Sequence, residues 1–159
     1  MPTFYIDGGS RGNERKDKPR TAKIVIVYLP SSSRQDPQGS RVYSEGIGDK
    51  TNNEAEYHAL LRLLSIIAKQ WTGSDGKILA EVGKIRVLTD SKLLVNQVNG
   101  SWKIKEDRLR RLWSQARAVI DSTGSISLEW VPREQNHAGL WFDGKWDSKQ
   151  VAADQLLKG

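Results

Sequence analysis

The spacing of hydrophobic and polar positions first predicts strands. A short apolar run, Phe4-Tyr5-Ile6, ends on Asp7 and passes into a glycine-rich turn. Positions 22–29 form a β-branched, apolar run that ends before Pro30, and positions 41–48 alternate between apolar and polar residues. Runs of this kind are typical of strands. Because loops connect them without an intervening helix, these three strands are predicted to form an antiparallel meander.

A period of 3.6 residues then replaces the alternation. Residues 51–53 offer N-cap side chains, and the apolar positions after them recur on one face as far as Trp71. Similar stripes predict a short helix over 91–98 and a long helix over 106–121. A final short amphipathic helix is expected around 148–157.

Two further strands are predicted between these helices, over 84–90 and 125–131. The chain reaches both through helices, so both should run parallel to the first strand. The order β-β-β-α-β-α-α-β-α predicts an α/β fold, a mixed five-stranded sheet with helices on its faces. The sheet combines a three-strand antiparallel meander with two parallel strands. A length of 159 residues suits one domain over 1–159.

Composition narrows the function classes. The chain has no cysteine, which excludes disulfides and thiolate metal sites. We see no signal peptide and no long apolar run, and therefore predict a soluble, cytoplasmic protein without a membrane partner. A net charge of +6 favours a polyanionic partner such as nucleic acid.

Three carboxylates are predicted to converge. Asp7 and Asp90 each end a strand of the parallel set, and Glu56 lies in the first turns of a helix, on its core-facing side. Clustered carboxylates repel one another unless a cation lies among them. With oxygen ligands and only two histidines, Mg²⁺ or Mn²⁺ is favoured over zinc. Two plainer interpretations stay open: an ordinary turn after Asp7 and a dipole-stabilised helix-end Glu56.

Four segments carry a further pattern, in this order along the chain: Tyr5-Ile6-Asp7-Gly8-Gly9-Ser10-x-Gly12-Asn13, Thr51-Asn52-Asn53-x-Ala55-Glu56-Tyr57-x-Ala59-Leu60, Leu88-Thr89-Asp90-Ser91-x-Leu93 and Trp130-Val131-Pro132-Arg133-Glu134-x-Asn136. Together they resemble ribonuclease H type 1, in the short form without a large basic protrusion. The resemblance implies a ribonuclease H-like fold and an endoribonuclease that cuts the RNA strand of RNA–DNA hybrids. It also implies two Mg²⁺ ions, with Mn²⁺ able to substitute, and we expect a monomer.

The resemblance assigns roles to particular residues. Asp7, Glu56 and Asp90 match three of the four metal-binding acids of the family, and Glu54 is interpreted as a surface residue. The expected contacts with the hybrid are Gly9, Ser10, Asn13, Thr51, Asn52, Asn53, Trp102 and Lys103. The segment 102–105 lies where the family carries its basic protrusion, so we expect a reduced contact with the DNA strand. Alternatively, Trp102 packs on the helix that follows.

The fourth acid departs from the family pattern. Leu140 stands where relatives with this last segment usually have aspartate, and three acids follow it: Asp143, Asp147 and Asp154. We predict Asp143, because it lies one helical turn beyond the expected place, with Asp147 as the next choice. His137 is predicted to be the proton-shuttling histidine of the family's mobile loop. The alternative for His137 is a solvent-exposed loop residue.

Rival functions remain at this point. A 3′–5′ exonuclease on a related sheet would place a second acid two residues after the first, where this chain has Gly9. A hybrid- or duplex-binding module of the same fold that has lost catalysis is consistent with the irregular fourth acid. Catalysis is preferred, because binding alone gives no reason to cluster three carboxylates.

Overall fold

A mixed β-sheet organises the chain. The computed structural model describes residues 1–11, 21–30 and 39–158. Within these residues the sheet has six strands, in the spatial order β5-β4-β1-β2-β3-β6. In chain order the strands are β1 (Thr3–Arg11), β2 (Thr21–Leu29), β3 (Arg41–Gly48), β4 (Ile85–Thr89), β5 (Ile126–Trp130) and β6 (Lys149–Gln150).

The strand pairing has the predicted directions. β1 pairs with β2 and β2 with β3 in antiparallel fashion, and β4 runs parallel to both β1 and β5. The register of β1 on β4 pairs Tyr5 with Leu88. Continued by two residues, this register brings Asp7 and Asp90 side by side. Asp90 directly follows β4, as predicted, whereas Asp7 lies within β1, which continues to Arg11, so the prediction that Asp7 ends its strand is wrong.

Four α-helices pack on the two faces of this sheet in the described part of the chain. They are α1 (Asn52–Gln70), α2 (Lys92–Val98), α3 (Asp107–Thr123) and α4 (His137–Phe142). Phe4 and Ile6 of β1 belong to the large core under α1 to α3, whereas Tyr5 belongs to a smaller core with Ala138 of α4. Successive side chains of a strand point to opposite faces, so α4 covers the face opposite α1. None of the described helices is long and apolar enough to cross a bilayer.

The predicted final helix over 148–157 is wrong. Residues Lys149–Gln150 instead form β6, which pairs in parallel with the start of β3, and a 3₁₀ turn follows at Ala153–Gln155. Val151 donates its amide to the carbonyl of Val42, and Leu156 is fully buried in the large core. Pairing with a free sheet edge and burial of one leucine override the weak helical pattern. This strand also accounts for six strands where five were expected.

The start of α1 is fixed by a capping box. Thr51 Oγ1 accepts a hydrogen bond from the Glu54 amide at 3.1 Å, and Glu54 Oε1 accepts one from the Thr51 amide at 3.1 Å. This arrangement satisfies two amides that the helix itself leaves unpaired. It also corrects the interpretation of Glu54 as a surface residue, because its carboxylate is largely buried in the cap.

Gly8 sets how closely α1 approaches β1. A Cβ atom at Gly8 would lie 2.2 Å from the carbonyl oxygen of Ala55 and 2.6 Å from the amide nitrogen of Glu56. Only a residue without a side chain permits this contact. Glycines beside a carboxylate also leave room for a bulky ligand to approach, but Gly8 is needed for helix packing. The contact brings the first turns of α1 against the middle of β1, beside Asp7.

We expect Gly8→Ala to destabilise the protein by about 1–3 kcal/mol or more, because the new methyl group must push α1 off β1. Urea unfolding measures this change. Gly46→Ala is the matched control, since nothing lies within 4 Å of a Cβ there, and its stability should stay within ~0.5 kcal/mol of the parent. Equal stability of the two variants would contradict the packing role of Gly8.

Candidate active site

Three carboxylates meet beside the middle of β1 and the end of β4. One oxygen each of Asp7, Glu56 and Asp90 lies within 4.8 Å of the other two. Asp7 extends from β1 and is only 2% exposed, and Asp90 follows the last residue of β4. Glu56 reaches them from the first turns of α1, which lie close to β1 because Gly8 has no side chain. The structure thus brings together the three acids named from the sequence.

Burial and repulsion shift the protonation of this cluster. Burial raises the pKa of Glu56 well above its ordinary range, and the charges of Asp7 and Asp90 raise it further. Burial likewise raises the pKa of Asp7, and the nearby Arg133 offsets only part of that rise. Without another cation, the cluster therefore holds protons that free carboxyl groups would release at neutral pH.

The donor set fits a hard divalent cation. Glu56 Oε2 is shielded from solvent and has no hydrogen-bond partner within the part of the chain that the structure describes. A buried carboxylate oxygen without a partner is costly unless a cation binds it. Together with oxygens of Asp7 and Asp90, it offers the all-oxygen ligand type that Mg²⁺ and Mn²⁺ prefer.

Arg133 joins this cluster, which the sequence analysis did not anticipate. Its Nη1 donates to Asp7 Oδ1 at 2.8 Å and to Asp90 Oδ2 at 2.9 Å. Its Nη2 donates to the two carboxylate oxygens of Asp143 at 3.1 and 3.2 Å. One guanidinium thus links three aspartates. Arg133 had been noted only as part of a motif, although a search for a cation to balance the clustered acids could have found it.

The backbone around Arg133 is pinned to β1 by Asn136. This fully buried side chain donates from Nδ2 to the carbonyl oxygen of Ile6 at 3.0 Å. Its Oδ1 accepts a hydrogen bond from the Ala138 amide at 3.0 Å and so caps α4. Because Ile6 precedes Asp7, Asn136 fixes the short turn that carries Arg133 directly beside the acid cluster.

Among the late acids, only Asp143 is linked to the cluster by contacts of the described residues, and the link runs through Arg133. Asp143 ends α4 and is partly exposed. Asp147 is exposed and accepts a hydrogen bond from the Ser148 amide at 2.8 Å, and Asp154 is exposed in the last 3₁₀ turn. The role of Asp143 as a fourth metal ligand stays a prediction.

His137 is packed between aromatic rings. The centre of its imidazole lies 4.6 Å from that of Tyr5 and 5.0 Å from that of Trp146. The ring is half-buried at the start of α4, and burial lowers its pKa, which favours the neutral form. The alternative of a solvent-exposed loop histidine is therefore wrong. Proton shuttling by His137 stays a prediction, and its surroundings favour a packing role.

The expected contacts with the hybrid have different environments. Asn52 Oδ1 accepts a hydrogen bond from the Ser10 amide at 2.6 Å and so joins the start of α1 to the end of β1. A Cβ at Gly9 would lie 3.0 Å from the Phe142 ring, so that residue faces α4. Thr51 is engaged in the helix cap, and Asn53 is half-buried in the first turn of α1.

Other predicted contacts lie farther along the chain or outside the described residues. Trp102, 49% exposed, and the exposed Lys103 lie in the segment between α2 and α3. Half of the Trp102 side chain is thus available to a partner, although packing of its other half on a helix stays open. Asn13 lies outside the described residues.

Trp130 is an aromatic residue at the site that the sequence analysis missed. It ends β5, is 43% exposed, and donates its indole N–H to the carbonyl oxygen of Asp90 at 3.2 Å. The Nζ atom of Lys92 lies 5.0 Å from the centre of its ring. A partly exposed aromatic ring with a lysine ammonium group over it therefore adjoins Asp90. The place of Trp130 in the sequence, two residues before Pro132, could have identified it.

Comparisons with known proteins agree with this geometry. Residues 35–142 match the family model described as reverse transcriptase-like. The chain is 35% identical over 130 residues to a bifunctional protein of Mycobacterium tuberculosis, covering 82% of this chain and 31% of that protein. It is 32% identical over 132 residues to ribonuclease HI of Halobacterium salinarum, covering 83% and 57%. The chain thus spans less than two thirds of these curated relatives.

Solved structures match over most of both chains. RNase H1 of Halobacterium salinarum is 30% identical, with a TM-score of 0.67 and coverage of 86% of this chain and 89% of that one. The RNase H domain from Mycobacterium tuberculosis, solved as a fusion with maltose-binding protein, is 34% identical, with a TM-score of 0.63 and coverage of 85% and 84%. LC11-RNase H1, solved with an RNA/DNA hybrid, is 29% identical, with a TM-score of 0.67 and coverage of 86% and 88%.

The raised pKa of Glu56 predicts a pH dependence of stability in the absence of divalent ions. Between the ordinary carboxyl pKa of ~4.3 and the raised value, the folded protein binds more protons than the unfolded chain. Stability therefore falls as the pH rises through this window. Glu56→Gln removes this titration. Above this pH window, urea unfolding in EDTA should show the variant to be more stable than the parent, and this advantage should become smaller at lower pH.

Glu54→Gln is the matched control with the opposite sign. Burial raises the pKa of Glu54, but hydrogen bonds with Thr51 lower this pKa by more, so it lies below its ordinary value. The parent should therefore lose the contribution of Glu54 on acidification, whereas the contribution of Glu56 is lost on raising the pH. A stability difference for Glu56→Gln that does not change with pH would contradict the prediction.

Proposed function

The chain belongs to the ribonuclease H type 1 family, and we propose that it hydrolyses the RNA strand of RNA–DNA hybrids as a divalent-metal-dependent endoribonuclease. The observation that carries this proposal is the cluster of Asp7, Glu56 and Asp90, in which one buried Glu56 oxygen lacks a hydrogen-bond partner in the described part of the chain. A binding surface alone does not require three buried or half-buried carboxylates, whereas metal-dependent phosphodiester hydrolysis does.

The proposed metal ligands are Asp7, Glu56 and Asp90, with Asp143 as the fourth acid. Two Mg²⁺ ions, for which Mn²⁺ could substitute, would generate a nucleophilic hydroxide and stabilise charge on the leaving oxygen. The protein contributes rigid ligands. Asp7 is held in the paired part of β1, and the backbone carbonyl of Asp90 is fixed by the Trp130 indole.

Support for the hybrid as substrate comes from charge and from surface chemistry. The relative LC11-RNase H1 was solved with an RNA/DNA hybrid, and this chain carries a net charge of +6 that would attract a polyanion. The exposed amide of Asn52 lies at the start of α1, four residues before Glu56. Amides there can hydrogen-bond to base edges and to ribose 2′-hydroxyl groups, which distinguish RNA from DNA.

Trp102 and Lys103 are proposed to contact the DNA strand, and Gly9, Ser10 and Thr51 the hybrid near the acids. The exposed indole of Trp102 can stack on a sugar or base, and Lys103 can contact a phosphate. We further propose that the chain acts as a monomer in the cytoplasm. Because the curated relatives are longer than this chain, the activity of the whole protein is part of the proposal.

A second candidate is a hybrid-binding module without catalysis. The observation that favours it is the pairing of Asp143 with Arg133 together with an apolar residue, Leu140, at the usual place of the fourth acid. Three converging acids favour the enzyme, since one Glu56 oxygen has no hydrogen-bond partner among the described residues.

Asp7→Asn should lower the rate of hybrid cleavage in Mg²⁺ by at least about 100-fold. Even residues that only hydrogen-bond to metal ligands typically change metal affinity or activity by about 10–100-fold. Binding of the hybrid, measured by fluorescence anisotropy, should be retained. Asp75→Asn is the control, because this exposed loop residue loses the same charge and only caps the Lys77 amide. It should cleave at the parent rate.

The two candidate functions separate in the same assay. Cleavage that survives in Asp7→Asn would overturn the assignment of the active site. Tight hybrid binding by the parent without cleavage in either Mg²⁺ or Mn²⁺ would support the binding module instead.

Lys103→Ala/Lys105→Ala should weaken hybrid affinity with little change in turnover, because these lysines lie outside the acid cluster. If both contact phosphates, the slope of log K against log salt should decrease by up to about 2. Lys77→Ala/Lys84→Ala removes the same charge from exposed positions, and Lys84 precedes the start of β4, away from its carboxyl end. An equal loss of affinity in both double variants would indicate a general charge effect.

A further inference from the structure

The guanidinium of Arg133 lies among the carboxylates proposed to bind the metal. We propose that Arg133 is a built-in competitor of the divalent ion, whose Nη1 must leave Asp7 and Asp90 before an ion binds there. This inference rests on the proposed function, because it needs an ion at that site. It concerns the affinity of the site and adds a role for a residue outside the ligand set.

Arg133 and a metal ion would use the same carboxylate oxygens. Nη1 lies 2.8 Å from Asp7 Oδ1 and 2.9 Å from Asp90 Oδ2, so it uses one oxygen of each acid. A Mg²⁺ ion bonds to such an oxygen at about 2.0–2.1 Å. An ion on the same oxygens would therefore lie within about 5 Å of Nη1, where two cations in a partly buried site repel strongly.

The position of Arg133 is built into the fold. A Cβ at Gly139 would lie 2.8 Å from Arg133 Cζ and 2.9 Å from its Nε. Gly139 lies inside α4, where alanine would favour the helix by about 1 kcal/mol, so its missing side chain serves the guanidinium. Asn136 fixes the turn beneath through its bond to the Ile6 carbonyl.

Asp143 lies on the far side of Arg133 from the acid cluster. Both oxygens of Asp143 accept hydrogen bonds from Nη2, so Asp143 holds the guanidinium between itself and the acid cluster. Leu140, at the place where relatives usually have an acid, adds no charge. When Nη1 leaves the cluster, the pair with Asp143 can remain. Arg133 can thus remain paired with Asp143 after its Nη1 leaves Asp7 and Asp90.

The consequence is a trade between stability and metal affinity. Without an ion, the positive charge of Arg133 offsets part of the repulsion among the acids and stabilises the folded chain. Any interaction present only in the ion-free state reduces ion affinity by the same free energy. Arg133 therefore weakens ion binding while it keeps the ion-free site intact.

The test is direct Mn²⁺ binding to the full chain without nucleic acid, measured by electron paramagnetic resonance of the free ion. Arg133→Gln should bind Mn²⁺ at least about tenfold more tightly than the parent, because two charge-assisted hydrogen bonds no longer have to break. Gly139→Ala should also bind more tightly. It leaves every charge in place and only removes the space that the guanidinium occupies.

Arg86→Gln is the matched control. It removes the charge of an arginine on β4 that makes a bidentate ion pair with Glu129 on β5. Its Mn²⁺ affinity should equal that of the parent. Thermal melting gives a second readout. In EDTA, Arg133→Gln should have a lower melting temperature than the parent. Saturating Mn²⁺ should raise the melting temperature of Arg133→Gln by more than it raises that of the parent. If Arg133→Gln fails to fold in EDTA, Gly139→Ala decides the question.

Equal or weaker Mn²⁺ binding by Arg133→Gln would overturn the proposal. So would tighter binding by Arg133→Gln with no change in Gly139→Ala, because net charge would then be the cause. Equal affinities with hybrid cleavage intact would leave the proposed function standing and overturn only the competition. Absence of Mn²⁺ binding in the parent and in every variant would overturn both.

Discussion

Repulsion among three carboxylates is the constraint on which the rest of the structure depends. Asp7, Glu56 and Asp90 place an oxygen each within 4.8 Å of the others, and burial raises the pKa values of Asp7 and Glu56. Such a cluster does not form by itself, so the fold must hold it together. Parallel pairing of β1 with β4 supplies two of the acids, and the approach of α1 supplies the third.

The glycine after the first acid shows how backbone packing serves that constraint. Gly8 lets the start of α1 lie against β1, and the bond from the Ser10 amide to Asn52 joins the same two elements. Both contacts hold Glu56 near Asp7 against their mutual repulsion. A feature that looks like room for a ligand is thus a feature of helix packing, and the two explanations predict different effects of a small side chain.

The segment after β5 answers the same constraint with a cation. Asn136 anchors the turn, Gly139 leaves space, and Arg133 bridges Asp7 and Asp90 on one side and Asp143 on the other. Asp143 and the unexpected Arg133 are therefore parts of one arrangement. A charge that stabilises the ion-free cluster also competes with the ion, which links the stability of this site to its affinity for metal.

The sequence by itself determined the first five strands and their directions, the first three helices and the identity of three clustered acids. These follow from local periodicity and from the carboxylate that follows each apolar run, and neither signal needs a distant contact. Tertiary structure decided the rest. Whether residues 148–157 form a helix depends on the free edge of β3 and on a buried place for Leu156. The cation that balances the acids is Arg133, which follows Asp7 by 126 positions and lies on a turn that Asn136 anchors to β1.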